Sequence, residues 1–382
     1  MPRIHRSVRR ALVAAAVCAL SVPALPPAGA AVHTDPRPER TWMVDGPVYA
    51  STAVGDTVYL GGRSAHAVSP TGALLPRSGL AAFRVSTGEP VAWSPRADGT
   101  VWALETDGRS IWAGGEFTAV DGVPRGRLAR LDATTGALDR RFDVGVDDTV
   151  RALELDHGLL YVGGLFTTVG TRAQAHLAKV NATSGAVPGG FTPTVDVNVR
   201  AVVAPPNGTG NDVYIAGNFR GVNGEVRARA ALVSGATGTV KPLRFSGPVD
   251  ATVRALDISP DGSLLYAGVG GGYDSALAWS TATGRLVFRH EVTGDVHTVR
   301  YHDGTLWMGF AGGATDDPDS RVRALDAGTG AVERGFAPST NSDWGVRTIA
   351  VTDRGVVIGG NFTRVAGQVH RFLAVFAADL PR

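Results

Sequence analysis

An all-β fold is predicted for this 382-residue chain by three observations: short apolar runs, Gly/Asp-rich turns between them, and one unit that recurs from end to end. No stretch carries sustained helical periodicity. With 44% hydrophobic residues, and 50 glycines that are not spaced every third position, the composition excludes a disordered or collagen-like polymer. A single cysteine excludes a disulfide scaffold.

Taken in order, the first element is not part of the fold. Arg3, Arg6, Arg9 and Arg10 precede an apolar stretch from Ala11 to Leu20, and Ala28-Gly29-Ala30 supplies small residues for cleavage. Residues 1–30 therefore read as a secretory signal, with Arg9-Arg10 leaving twin-arginine export open beside the general route. Residues 31–40 are expected to be a linker, and 41–382 one domain. Without the signal the chain holds 33 Lys+Arg against 35 Asp+Glu, a formal charge of −2, and no cysteine. Near-neutral charge argues against nucleic acid and anionic membrane as partners. No second apolar run of membrane-spanning length occurs. The localisation expected is secreted, and the oligomeric state expected is a monomer.

The repeat is plainest in three copies. Val101-Trp102-Ala103-Leu104 is followed by Ile111-Trp112-Ala113-Gly114-Gly115-Glu116-Phe117. Val150-Arg151-Ala152-Leu153 is followed by Leu160-Tyr161-Val162-Gly163-Gly164-Leu165-Phe166, and Val199-Arg200-Ala201-Val202 by Val213-Tyr214-Ile215-Ala216-Gly217-Asn218-Phe219. The opening valine recurs at Val48, Val253, Val299 and Val346, making seven units. In the third copy, strands are predicted over 150–155, 159–164 and 176–181, with an outer fourth over 186–192. A Thr/Ser-Gly turn precedes strand four in every unit but the last. Four strands per unit of this length define a propeller blade, so the sequence predicts a seven-bladed β-propeller with four-stranded antiparallel blades. The last unit stops before its fourth strand. Thr41 to Val44 is expected to fill that place and close the ring. The Gly61/62, 114/115, 163/164 and 359/360 pairs mark close approach between blades.

The motif Val-Arg-Ala-Leu, then Tyr-Val-Gly-Gly-x-Phe-Thr, then Leu-Asp-Ala-Thr-Thr-Gly-Ala-Leu (as at 131–138) resembles the delta-60 repeat propellers of secreted actinobacterial proteins. Residues 259–266 are also similar to WD40 and YVTN grammar, and Tyr-x-Gly-Gly to kelch. The resemblance implies the fold and a secreted location; it carries no catalytic residues.

Function then rests on individual positions. An aspartate stands three residues before the opening valine at Asp45, Asp98, Asp147, Asp196, Asp250 and Asp343, with Asp295 displaced by one. An arginine follows the valine at Arg151, Arg200, Arg254, Arg300 and Arg347, and Tyr49 and Trp102 hold that place in the first two units. Two readings compete: arginines ringing a channel mouth for an anionic ligand such as an acidic sugar or phosphate, or Asp/Arg pairs that tie each blade to the next. Units five and six replace the Gly-Gly-x-Phe-Thr loop and unit one carries a long loop from Arg63 to Gly79, so the ligand face is expected across units five, six, seven and one, adjacent once the ring closes. Tyr49, Trp102, Tyr273 and Trp344 offer stacking surfaces, with the arginines giving polarity. Asp316, Asp317 and Asp319 could ligate calcium or form a solvated acidic loop, and the EF-hand spacing is absent. No other cofactor is expected. His297 and Asp274 are the candidate acid/base groups of an alternative reading, an extracellular propeller enzyme acting on a carbohydrate or lactone. No G-x-S-x-G, H-E-x-x-H or S-x-x-K motif occurs. The reading favoured is a non-catalytic module for an extracellular polysaccharide or protein.

Overall fold

In the computed structural model, which describes residues 37–206, 212–227, 229–247, 251–333 and 335–378, the apolar runs of the repeat become antiparallel strands and no α-helix occurs among the described residues. Among the described residues seven principal sheets follow one another along the chain, accompanied by one small three-stranded sheet and four two-stranded hairpins. The first comprises Val48–Val54, Thr57–Gly62 and Leu80–Arg84, the second Val101–Thr106, Ser110–Gly115 and Leu128–Asp132, and the third Val150–Asp156, Leu159–Gly164 and Leu177–Asn181. The fourth is Val199–Val203, Val213–Gly217 and Ala230–Val233. The fifth alone has four strands, Thr252–Ile258, Leu264–Gly270, Ser275–Ser280 and Leu286–Glu291. Val296–His302, Thr305–Phe310 and Val322–Asp326 form the sixth, and Val346–Thr352, Gly355–Gly360 and Leu373–Ala377 the seventh.

Packing between the sheets is face to face. The first strands of consecutive sheets touch in chain order, and that of the seventh touches that of the first. The buried apolar residues divide into seven clusters, each shared by two neighbouring sheets. One of them joins Val357, Leu373 and Val375 of the last sheet to Val48, Val58 and Leu60 of the first. The close approach needs glycine: a Cβ on Gly61 would lie 2.6 Å from Cγ1 of Val101 in the next sheet.

The expected fourth strand is mostly absent. Residues 186–192 form no strand, and in the first, second, fourth and sixth sheets the outer segment makes only single bridges: Phe83 with Pro90, Leu131 with Leu138, Val233 with Val240, Leu325 with Val332. Pro90, Pro188-Gly189-Gly190 and Pro242 lie in three of these segments, yet the bonds flanking Phe83–Pro90 are made as they are around Leu131–Leu138. Only at residues 286–291 is the outer strand complete among the described residues.

The amino-terminal segment differs from expectation in detail. Met43–Val44 pairs with His66–Val68, which with Leu74–Pro76 forms a small separate sheet, and not along the seventh sheet. Yet the Glu39 N–H donates to Val375 O at 2.8 Å, as Asp139 N–H does to Arg130 O at 2.8 Å within the second sheet. Residues 37–40, expected as linker, thus include the outer hydrogen bond of the seventh sheet. Residues 1–30, and Asp250, lie outside the described residues.

Candidate functional site

Each first strand opens with a bulge one residue after its initial valine, displacing the ladder between Val48 and Ala50, Val101 and Ala103, Val150 and Ala152, Val199 and Ala201, Val253 and Ala255, and Val346 and Thr348. The bulged residue is unpaired and its side chain is re-aimed. In the sixth sheet the same bulge falls between Val296 and Thr298. The opening valine there is Val296, three residues before the Val299 that the sequence reading chose. His297, not Arg300, therefore occupies the seventh bulge position.

The seven bulged side chains meet. Tyr49, Trp102, Arg151, Arg200, Arg254, His297 and Arg347 line one cavity of about 90 Å³. Three form a continuous stack: Tyr49 lies on Trp102 with ring centroids 4.2 Å apart, and the Arg151 guanidinium covers the indole's other face at 3.9 Å. Both faces of Trp102 are thereby occupied. A sugar stacked on Trp102, as the sequence suggested, would have to displace one of these two neighbours.

The cationic arc is incompletely neutralised. Arg254 pairs with Asp295 at 2.5 Å, and Arg151 approaches Glu116 at 3.9 Å. These are the Asp/Arg tie between sheets that one reading expected everywhere and a looser variant of it. Among the described residues no ion pair or hydrogen bond reaches the Arg200 side chain. Burial, then repulsion from Arg254, Arg151 and Arg347, pulls its pKa down to about 10. Burial likewise lowers Arg151 and Arg347. Burial first, and then Arg347, Arg254 and Arg200, drive His297 down to about 2, so this imidazole is neutral. The Nε atoms of Arg151, Arg254 and Arg347, Nε1 of Trp102 and Nε2 of His297 are buried with no hydrogen-bond partner. A buried polar atom left unpaired costs about 1–3 kcal/mol, and the five residues that carry these atoms line one cavity.

The repeated aspartates serve the loops instead. Asp98 accepts from the Thr118 and Ala119 N–H groups at 2.7 and 2.9 Å and from the Thr118 hydroxyl at 2.6 Å. Asp147 does the same with Thr167 and Thr168, and Asp45 with Ala65 and His66. Desolvation opposes ionisation of Asp98, but these bonds outweigh it and hold its carboxyl below the usual range. In the seventh sheet Asn341 performs the task, accepting from Thr363 and Arg364, and Asp343 does not.

Other candidates fall outside the cavity. Arg300 is exposed and stands 3.8 Å from Asp257. The Tyr273 ring is covered by the Arg289 guanidinium at 3.6 Å. Trp344 is 60% exposed, enough to offer a free face, with Arg347 5.5 Å from its ring. Asp274 does not line the cavity with His297. Asp316 is bound to Arg323 at 2.7 Å, with Asp317 4.0 Å from the same guanidinium. These two turn to an arginine, and among the described residues no group of three or more His, Cys, Asp or Glu is arranged to hold a metal ion.

Sequence reasoning missed a second charged layer. Four residues beyond the opening valines stand Glu105, Glu154 and Asp257, with Arg300 in register. Thr106 N–H donates to Glu105 at 2.8 Å, Ala204 N–H to Glu154 at 2.9 Å, and Tyr301 N–H to Asp257 at 2.7 Å. Burial raises all three carboxyls, Glu105 to about 7. The signal was available: the corresponding positions elsewhere are Thr52, Val203 and Ala350.

Comparison with known proteins agrees with this architecture. Residues 109–142 match the family model of a β-propeller domain of unknown function, DUF5122. The crystal structure of the computationally designed Ika8 protein superimposes with a TM-score of 0.54 at 15% identity, over 90% of this chain and 98% of that one. No curated protein matches the sequence. The chain is thus an all-β protein of β-propeller type. Among its described residues no helix is long and apolar enough to cross a membrane.

Proposed function

We propose that this protein is a secreted, non-catalytic binding module, a seven-bladed propeller whose ring closes through its amino-terminal segment, and that it holds an anionic group of an extracellular polysaccharide or protein at the arginine-lined mouth. Ring closure is supported by the apolar cluster common to the first and last sheets and by the Glu39 to Val375 bond. Secretion is supported by the leader-like residues 1–30 alone.

The observation that carries the binding reading is the convergence of four guanidiniums on one small cavity with fewer acids than bases around it. A purely structural ring would be expected to neutralise its charges, since a buried unpaired charge is costly. Arg200 has no such partner among the described residues, and an oxyanion would supply one. The ligand face draws on all seven sheets at one register position, so the expectation of a site confined to sheets five, six, seven and one is widened. Exposed Trp344 lies beside Arg347 and offers a surface for whatever carries the anion.

The test is isothermal titration of the purified protein with acidic polysaccharides and simple oxyanions, beside Arg200→Ala. Saturable binding by the wild type, lost in a variant that remains folded, supports the reading. Binding unchanged in Arg200→Ala, or no binding of any anion by either, overturns it.

A further inference from the structure

Between the fifth and sixth sheets, at the end of the first strands away from the arginine cavity, a second space opens. In the first two sheets an aromatic of the second strand bonds across to the next sheet: the Tyr59 hydroxyl donates to Ala133 O at 2.6 Å, and Trp112 Nε1 to Ala182 O at 3.0 Å. Tyr266 is the counterpart of these aromatics in the fifth sheet, and Ala327 the counterpart of the accepting alanines in the sixth. The bond is not made there. Tyr266 is only 1% exposed, yet among the described residues no hydrogen bond reaches its hydroxyl. Nor is that hydroxyl sealed, as the unpartnered Nε1 of Trp307 is, and Tyr266 and Ala327 line a common cavity of about 540 Å³. The outer strand explains the space. Trp93 stands 5.0 Å from the Tyr59 ring and Phe336 5.0 Å from Trp307, whereas Phe288, held opposite Ala278 by the complete strand 286–291, stays 6.5 Å from Tyr266.

The lining of this cavity defines what fits it. Pro260, Leu264 and the Tyr266–Tyr301 pair, whose rings lie 6.0 Å apart and 15° from parallel, give it an apolar side. Its charged side chains are Asp261 and Asp326, and no lysine, arginine or histidine lines it. The neighbouring donors are already used. The Ser259 and Ser263 hydroxyls go to Asp261, the Thr329 hydroxyl and the Gly328 and Thr329 N–H groups to Oδ1 of Asp326, and the Gly304 N–H to the Tyr301 oxygen. Oδ2 of Asp326 receives none of these bonds. The bonds from Ser259 and Ser263 hold the Asp261 carboxyl below its usual range. Burial first, and then Tyr301, Asp257, Asp261 and Asp326, push the Tyr266 phenol up, so it keeps its proton. The cavity thus offers oxygen acceptors and negative charge, and lacks donated hydrogens and positive charge.

We propose that the cavity between the fifth and sixth sheets binds an organic ammonium ion, its N–H groups donated to Asp326 and to the Tyr266 oxygen and its carbon skeleton laid against Leu264 and Pro260. Charge-assisted bonds of this kind are about twice as strong as neutral ones. About 540 Å³ falls within the roughly 300–1,000 Å³ of small-molecule sites, which likewise combine apolar walls with a few convergent polar groups. An anion would set its charge against both carboxylates. The site is separate from the arginine cavity, shares no lining residue with it and does not depend on the anion-binding reading.

The experiment is calorimetric titration of the full chain at neutral pH with phenethylammonium, 2-phenylethanol, 3-phenylpropionate and glucose. Phenethylammonium is expected to bind on the order of tenfold tighter than 2-phenylethanol, which keeps the skeleton and loses the charge, and 3-phenylpropionate and glucose are expected not to bind. Tyr266→Phe should weaken phenethylammonium about threefold to tenfold, the worth of one hydrogen bond. Asp326→Asn should weaken it on the order of tenfold while keeping its turn, because Asn181 accepts the same three bonds in the third sheet. Should Asp326→Asn not fold, the wild-type contrast between ammonium and alcohol decides. Arg200→Ala should bind phenethylammonium as the wild type does, which separates this site from the anion site. No binding of phenethylammonium, equal or tighter binding of 2-phenylethanol or glucose, or unchanged affinity in Tyr266→Phe and Asp326→Asn overturns the inference.

Discussion

A Cβ placed on Gly359 in the last sheet would lie 2.7 Å from Cγ1 of Val48 in the first, a contact of the same kind as Gly61 with Val101 or Gly309 with Val346. The junction between the two ends of the chain is thus packed like the junctions inside it. Gly359→Ala is expected to destabilise the protein by about 1–3 kcal/mol, the usual cost of overpacking. Val48→Ala should recover part of that loss in the double variant, because the two residues share one contact. Urea unfolding of the four proteins of the cycle checks this; additive losses would mean that the two sheets do not press on each other.

Arg200 holds a half-buried charge on which repulsion from Arg254, Arg151 and Arg347 outweighs the attraction of Asp295. Arg200→Ala should therefore melt no lower than the wild type, and about 1 kcal/mol of added stability is reasonable for removing such a charge. Anion binding should fall at the same time. Differential scanning calorimetry, with and without phosphate, reads both effects; a large drop in melting temperature of the unliganded variant would contradict the account of the ring.

Glu105 gives a pH dependence of defined sign. Its folded-state pKa, about 7, lies above the ordinary 4.5, so the folded chain binds the proton more tightly than the unfolded chain. Stability from this group is greatest at low pH and declines as pH rises from about 4.5 through about 7. Glu105→Gln removes the decline. The variant should be more stable than the wild type at pH 8, with that advantage shrinking at pH 5. Equal wild-type and variant profiles across this range would contradict the prediction.

Trp102 lines the cavity and stacks between Tyr49 and the Arg151 guanidinium. Trp102→Phe should keep a ring between Tyr49 and Arg151 while deleting the Nε1 donor, weakening phosphate about threefold to tenfold with little change in melting temperature. Trp102→Ala should lose stability as well, since the stack collapses. A Phe variant that binds as well as the wild type would remove the indole N–H from the site.

Much of this was legible in the sequence because a propeller writes its architecture locally: Val-Arg-Ala-Leu, the Gly-Gly pair and the Thr-Gly turn each describe one sheet and its neighbour. What failed did so for physical reasons. Val299-Arg300 copies the Val-Arg motif, yet Val296-His297-Thr298-Val299 matches Val346-Arg347-Thr348-Ile349 over more positions, and the bulge follows the longer match. The outer strands were overestimated because β-type residues follow the Thr-Gly turns, yet each such segment apart from 286–291 leaves the ladder after at most one bridge, with or without a proline. The stacked faces of Trp102 and the carboxylate layer of Glu105, Glu154 and Asp257 depend on contacts between separate units, about which spacing along one unit is silent.

The bond between Glu39 and Val375, with Arg371 N–H directed to the Met43 sulfur across 328 residues, has a consequence for how the molecule is made. The segment that bonds to the last sheet is synthesised long before its partner strand. Until then the Val48 face of the first sheet has nothing to cover it. Closing so long a loop adds little to the equilibrium cost, because that cost grows only with the logarithm of length. It does lengthen the search, as non-local pairings slow folding. During that interval the same edge can accept the leading segment of another copy, so refolding at high concentration should yield exchanged dimers that dilute refolding avoids.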